Sequence, residues 1–313
     1  LGFAIIDLEG VVLSPQEREL LQHPQVAGVI LFTRNYENPS QLRSLIQTIK
    51  KIRPLFVAVD QEGGRVRRFH RGFTDLPSMR YFGDCYQHDP LQARKHLENA
   101  LKTVVHELKE VGIDVNMTPV LDIDQGKNEI IGERSFSGDP RVVEALGSVV
   151  IDTLHANRMP AVAKHFPGHG GVTADSHQAL PIDERDPEAI LQCDWLPFSA
   201  LSSRLDAIMP AHIIYPAFDE KPATFSRYWL QDMLRQRLNF RGVIISDDLT
   251  MQGAAVIGDY PTRAAQALEA GCDLLTICNS REGVIAILDS LLHYRNPESQ
   301  QRLLSFSGFT TGG

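Results

Sequence analysis

The sequence predicts an α/β fold, a single-domain (β/α)8 TIM-type barrel. Three observations predict it. Eight short apolar runs alternate with longer amphipathic stretches from end to end, the pattern of parallel strands joined by crossover helices. Several runs end in a side chain with chemistry, as expected where strand ends share one rim. No first run leads into a G-x-G-x-x-G turn, which removes the dinucleotide-binding alternative. One barrel commonly takes roughly 250 residues or more. The 313 residues are therefore read as a single domain, 1–313, with an irregular tail from about residue 304.

The expected strands are Ala4–Leu8, Val26–Phe32, Leu55–Val59, Ile113–Val120, Pro160–Ala163, Ala207–Pro210, Gly242–Ser246 and Cys272–Cys278. Between them lie helical patterns. Ser40–Lys51 follows Asn38-Pro39, and Pro90–Val111 has leucines and valines near helical spacing. Arg141–Ala156 and Glu188–Ser202 each follow an Asp-Pro pair, a good helix start. Ser226–Leu238 begins on a Ser cap, Pro261–Ala270 stops at Gly271, and Glu282–His293 closes the set. The first connection is less clearly helical.

Composition narrows the function. The chain is 43% hydrophobic and 22% charged, with a net charge of −8. That balance argues against a general nucleic-acid footprint. Arg65, Arg67 and Arg68 form a short basic run, but Asp60 and Glu62 sit beside them. No run approaches the ~18 apolar residues of a membrane helix, and the opening LGFAIIDLEG does not read as a signal peptide. Cys85, Cys193, Cys272 and Cys278 are scattered without a CxxC pair, so neither a zinc site nor a disulfide framework is expected. A reducing, cytoplasmic setting and a monomer are the expectation. The sequon Asn116-Met117-Thr118 lies inside a buried strand pattern and carries little weight.

The strand ends supply the candidate site. Asp60 begins DQEGGRVRR. An ionised carboxylate there can accept hydrogen bonds from two neighbouring hydroxyls, and Arg68 can return to the same pocket as a donor. Arg134, in GERSFSGDP, sits on a polar loop that would reach the same rim. Lys164 and His165 end the fifth strand, His212 follows the sixth and Asn279 the eighth. Asp247 and Asp248 follow VIIS. One of the two suffices to cap a helix, which leaves the other to face substrate as a nucleophile. Asp175 and His177, two apart in an extended loop, can point the same way. A carboxylate beside a histidine fixes its tautomer and suits it to proton transfer near neutral pH.

KHFPGHG followed by DSH, with VDQEGGRVRR upstream and ISDDLTM downstream, resembles glycoside hydrolase family 3. Within it, the chain is similar to the single-domain bacterial β-N-acetylhexosaminidases. The likeness runs from the first strand to about the eighth, through several long motifs in the right order. It implies a (β/α)8 barrel and retaining hydrolysis of terminal β-linked N-acetylglucosamine in peptidoglycan fragments, with no cofactor and no metal. By the same resemblance, Asp247 matches the nucleophile, His177 the acid/base and Asp175 its dyad partner. Asp60, Arg68, Arg134, Lys164 and His165 match the residues that hold the sugar. His169 is then a loop-shaping residue.

Three alternatives stay open at this point. A phosphorylase on the same scaffold would use phosphate in place of water. A metal-dependent barrel hydrolase could draw on His165, His169, His177, His212 and Asp247, although the first strand offers only Asp7 and no His. A non-catalytic muropeptide-binding barrel would keep Asp60 and the basic cradle but would not need Asp247 or the D-S-H loop.

Overall fold

The computed structural model describes residues 2–127, 130–173 and 180–308. In chain order its strands are β1 (Ala4–Ile6), β2 (Val26–Leu31), β3 (Phe56–Val59), β4 (Val115–Asn116), β5 (Val162–Phe166), β6 (Ala207–Pro210), β7 (Ile214–Tyr215), β8 (Asp219–Pro222), β9 (Val243–Ile244) and β10 (Leu275–Ile277). All eight expected runs contain a strand. They form two parallel sheets, in the orders β10-β1-β2-β3-β4 and β5-β6-β9. Two isolated parallel bridges lie between the sheet edges, Val120 with Lys164 and Ile245 with Leu274. The fold is thus α/β with parallel sheets and helices between the strands.

Alternation along the strands sorts the apolar side chains into two cores. Ala4 and Ile6, Val57 and Val59, Ile208 and Ile244 join the larger core beneath the helices. Their neighbours Ile5, Ala58, Ala207, Met209, Val243 and Ile245 form a second cluster with Ile30, Val115 and Val162. Successive side chains point to opposite faces of a strand. The second cluster's parity therefore continues through Phe56 and Ala58 to Asp60, through Val162 to Lys164, and through Val243 and Ile245 to Asp247. Sequence parity alone aims these three polar groups at one place.

Helices begin on a repeated device. Asn38, Asp89, Asp139, Asp186 and Asn296 each cap a helix through the side chain, and each is followed by Pro at the first helical position. The cap satisfies an orphan N–H, and Pro has none to satisfy. The 22-residue helix Pro90–Val111 stops at Gly112, whose φ of +98° is open to glycine at little cost.

Three expectations need correction, and two elements are additional. Glu188–Ser202 is not one helix but two, Pro187–Gln192 and Trp195–Leu201. Pro197 cannot donate back to Cys193, so a continuous helix cannot pass through. The stretch from residue 304 is not irregular at its start, because a helix spans Pro297–Ser307. Leu303 and Phe306 join the second core, where Phe306 meets Phe56 edge-on at 6.0 Å. A helix at Met79–His88 and the antiparallel pair β7-β8 were not anticipated. Ser226 does cap its helix, accepting the Trp229 N–H at 3.1 Å, but the helix, Tyr228–Arg237, is π-wound. Among the described residues, no helix is long and apolar enough to cross a membrane.

Candidate active site

Six of the eight anticipated site residues line one cavity of about 450 Å³: Asp60, Arg68, Arg134, Lys164, His165 and Asp247. The other two, Asp175 and His177, lie outside the described residues. Asn279 also lines the cavity, whereas His212 does not. His212 is buried behind it, with Nε2 3.0 Å from the Asp248 carbonyl oxygen and its ring stacked on Phe225. Among the described residues, no group of three or more His, Cys, Asp or Glu side chains is gathered to hold a metal ion.

A network of buried charges forms one wall. Lys164 Nζ donates to Asp60 Oδ1 at 2.6 Å and lies 2.7 Å from Glu62 Oε1. Arg134 reaches Glu62 with two donors, Nε at 2.8 Å and Nη2 at 2.9 Å. Arg68 pairs with Asp60 at 3.4 Å. Burial alone would raise both carboxyls. Lys164 and Arg68 more than reverse it at Asp60, and Arg134 and Lys164 do so at Glu62, so both stay below their ordinary range. Burial would likewise lower the Lys164 pKa, but Asp60 and Glu62 raise it. The wall is therefore ionised throughout at neutral pH, with fixed donors and acceptors for a polyhydroxyl ligand.

Lys164 and His165 are consecutive, and both line the cavity. The β5–β6 register shifts between Lys164 and Phe166, an irregularity that can re-aim a side chain at a sheet end. His165 Nδ1 lies 2.7 Å from Asp122 Oδ2. Glu62 and Asp122 were both missed from sequence. Asp122 follows an apolar run as Asp60 does, and the strand-end rule would have found it. Glu62 shares the strand parity of Asp60, a signal hidden by the adjacent glycines.

The two aspartates after β9 separate. Asp248 accepts the N–H groups of Thr250 and Cys278, both at 3.0 Å, and the Thr250 hydroxyl at 2.8 Å. It closes a local turn and does not cap a helix, since the helix Gln252–Ala255 begins after Met251 with no side-chain cap, and its burial drives its pKa up to about 6 against those hydrogen bonds. Asp247 follows the inward parity, and its Oδ1 accepts the Asp248 N–H at 2.8 Å. A carboxylate held at the cavity face in this way can act as nucleophile or electrostatic stabiliser.

The profile of the Glycosyl hydrolase family 3 N terminal domain matches residues 5–305. The chain belongs to this family. A β-hexosaminidase of Methylobacillus flagellatus is 47% identical over 311 residues, covering 98% of this chain and 89% of the relative. A β-hexosaminidase of Pseudomonas aeruginosa is 45% identical over 305 residues, 96% of this chain and 90% of its own. Among solved structures, NagZ from Neisseria gonorrhoeae in complex with N-trifluoroacetyl-D-glucosamine superposes with a TM-score of 0.92 at 39% identity. That match covers 97% of this chain and 89% of the other. The chain is a glycoside hydrolase of family 3, and its parallel α/β architecture is the one these relatives share.

Proposed function

We propose that this protein is a retaining β-N-acetylhexosaminidase. It removes terminal β-linked N-acetylglucosamine from N-acetylglucosaminyl-anhydro-muramic acid and from muropeptides in cell-wall recycling. The observation that carries the reading is the shared cavity, with Asp247 facing the Asp60–Lys164–Glu62–Arg134 network. The names of the relatives and the sugar ligand of the gonococcal structure support the substrate class.

In this reading Asp247 attacks the anomeric carbon and forms a covalent glycosyl-enzyme. His177, supported by Asp175, first protonates the leaving oxygen and then takes a proton from the water that releases the sugar. Most retaining glycosidases divide these tasks between two carboxyl groups; here one of the two is an imidazole. Asp60 accepts sugar hydroxyls away from the reacting carbon, while Lys164, Arg68, Arg134 and His165 complete the cradle. Orientation of this kind supplies much of the rate. The two single-residue bridges support closure of the parallel sheets into one eight-stranded barrel whose rim holds this site. The protein acts in the cytoplasm, as a monomer, on a small carbohydrate or muropeptide.

The test is trapping with a slow fluorinated N-acetylglucosamine analogue followed by peptide mapping. Label on Asp247 is the expected result. Label elsewhere, or turnover that requires phosphate and yields a glycosyl phosphate, would replace this reading.

A further inference from the structure

One carboxylate behind the cavity wall is fully engaged, yet the proposed reaction gives it no task. Asp122 has no exposed surface. Its Oδ1 accepts two backbone N–H groups, from His165 at 3.1 Å and from His169 at 2.7 Å. Its Oδ2 lies 2.7 Å from Nδ1 of His165. Two backbone N–H groups and one ring nitrogen converge on this carboxylate, and hydrogen bonds of this kind favour its ionised form without any charge on the ring. An ionised carboxylate can only accept. The ring nitrogen that faces it must then carry the proton. Nε2 is the remaining polar atom of a side chain that lines the cavity.

We propose that Asp122 is a positioning residue that holds His165 in the Nδ1–H tautomer, so that Nε2 of the neutral ring meets the bound sugar as a hydrogen-bond acceptor. The sugar as partner rests on the function proposed above; the tautomer does not. The identity of the protonated nitrogen is set by the bond the other nitrogen makes. An acceptor at Nε2 selects a ligand group that can donate, such as a hydroxyl.

The backbone around the pair makes the role testable. Leu121 N–H donates to the Lys164 carbonyl at 2.8 Å. A side-chain carbon at Gly170 would sit 1.6 Å from the Ile123 carbonyl oxygen. The segments therefore lie directly on one another, apart from any contribution of the Asp122 side chain. In Asp122→Asn, the two converging N–H groups require the amide oxygen. The amide nitrogen is then left facing His165 and donates to Nδ1. The proton must move to Nε2, which turns the cavity-facing acceptor into a donor.

The experiment is a long-range proton–nitrogen spectrum of histidine-labelled protein without substrate, recorded at several pH values. The His165 signals are assigned by their loss in H165Q. Wild type is expected to show Nδ1–H and D122N to show Nε2–H. On an aryl β-N-acetylglucosaminide, D122N should lose about 10- to 100-fold in kcat/KM, as for a buried polar group left without its partner. The double variant D122N/H165Q should fall within about threefold of H165Q, because the two changes remove one interaction. An Nε2–H ring in wild type overturns the proposal without any variant, which covers a D122N protein that does not fold. So does an unchanged tautomer in folded D122N, or a double variant well below H165Q. A protein that inverts its tautomer as expected but cleaves no hexosaminide retires the proposed function and keeps the role of Asp122.

Discussion

Lys164 and Glu62 meet at 2.7 Å between side chains that are only 3% and 2% exposed. The same carboxylate also receives both donors of Arg134. One residue, not among the site candidates read from sequence, thus anchors two of the cations that line the cavity. Removing one partner of a buried pair leaves the other charge uncompensated.

Glu62→Gln should therefore lower stability by about 3 kcal/mol and reduce kcat/KM by about 100-fold. The acid slope of stability should also change. The Glu62 pKa is lowered by folding, so its contribution is present above the unfolded pKa of about 4.3 and is lost as pH falls below it. Thermal unfolding from pH 7 to pH 3 should show a shallower loss for E62Q than for wild type.

Asp247 and Asp248 should respond oppositely. Asp247→Asn should lower turnover by about 1,000-fold or more, as expected for loss of a nucleophile. Asp248→Asn should retain activity within about tenfold, since Asn can accept the same backbone N–H groups. Folding raises the Asp248 pKa from 3.8 to about 6. Its contribution is full below the unfolded value and is lost as pH rises through about 6. D248N should remove that part of the slope and be no less stable than wild type at pH 7. Near-normal turnover in D247N would overturn the nucleophile assignment.

His177→Ala should cost less on aryl glycosides with good leaving groups than on natural disaccharides, because protonation of the departing oxygen then matters less. Comparing kcat/KM across a series of leaving groups checks this. Equal losses along the series would exclude a general-acid role.

Arg185 sits between two buried carboxylates. It pairs with Asp183 at 2.6 Å and with Asp194 at 2.8 Å, and its guanidinium packs against Gly171. Asp194 also accepts from Gln125 at 3.0 Å. Arg185→Ala would strand both carboxylates, at a cost of about 3–5 kcal/mol. Thermal unfolding should show a Tm lower by about 5–10 °C.

The sequence by itself determined the eight strands, because apolar runs of four to eight residues bounded by polar ones are a local pattern. It determined several helix starts in the same way, through the Asx-Pro pairs at Asn38, Asp139 and Asp186, whereas the helix that follows Asn296 was not read from it. It also determined that Asp60, Lys164 and Asp247 share a face, since side-chain parity carries from each apolar run to the polar residue at its end. Only the tertiary structure decided which partners those residues meet. Glu62 and Arg134 are 72 residues apart, and Asp60 and Lys164 are 104 apart. Such pairs depend on strand order and register, which no window of sequence contains. The same holds for the β7-β8 pair. The resemblance separated Asp247 from Asp248 as a pattern; the physical reason, the bond Asp248 accepts from Cys278, 30 residues away on another strand end, came only with the structure.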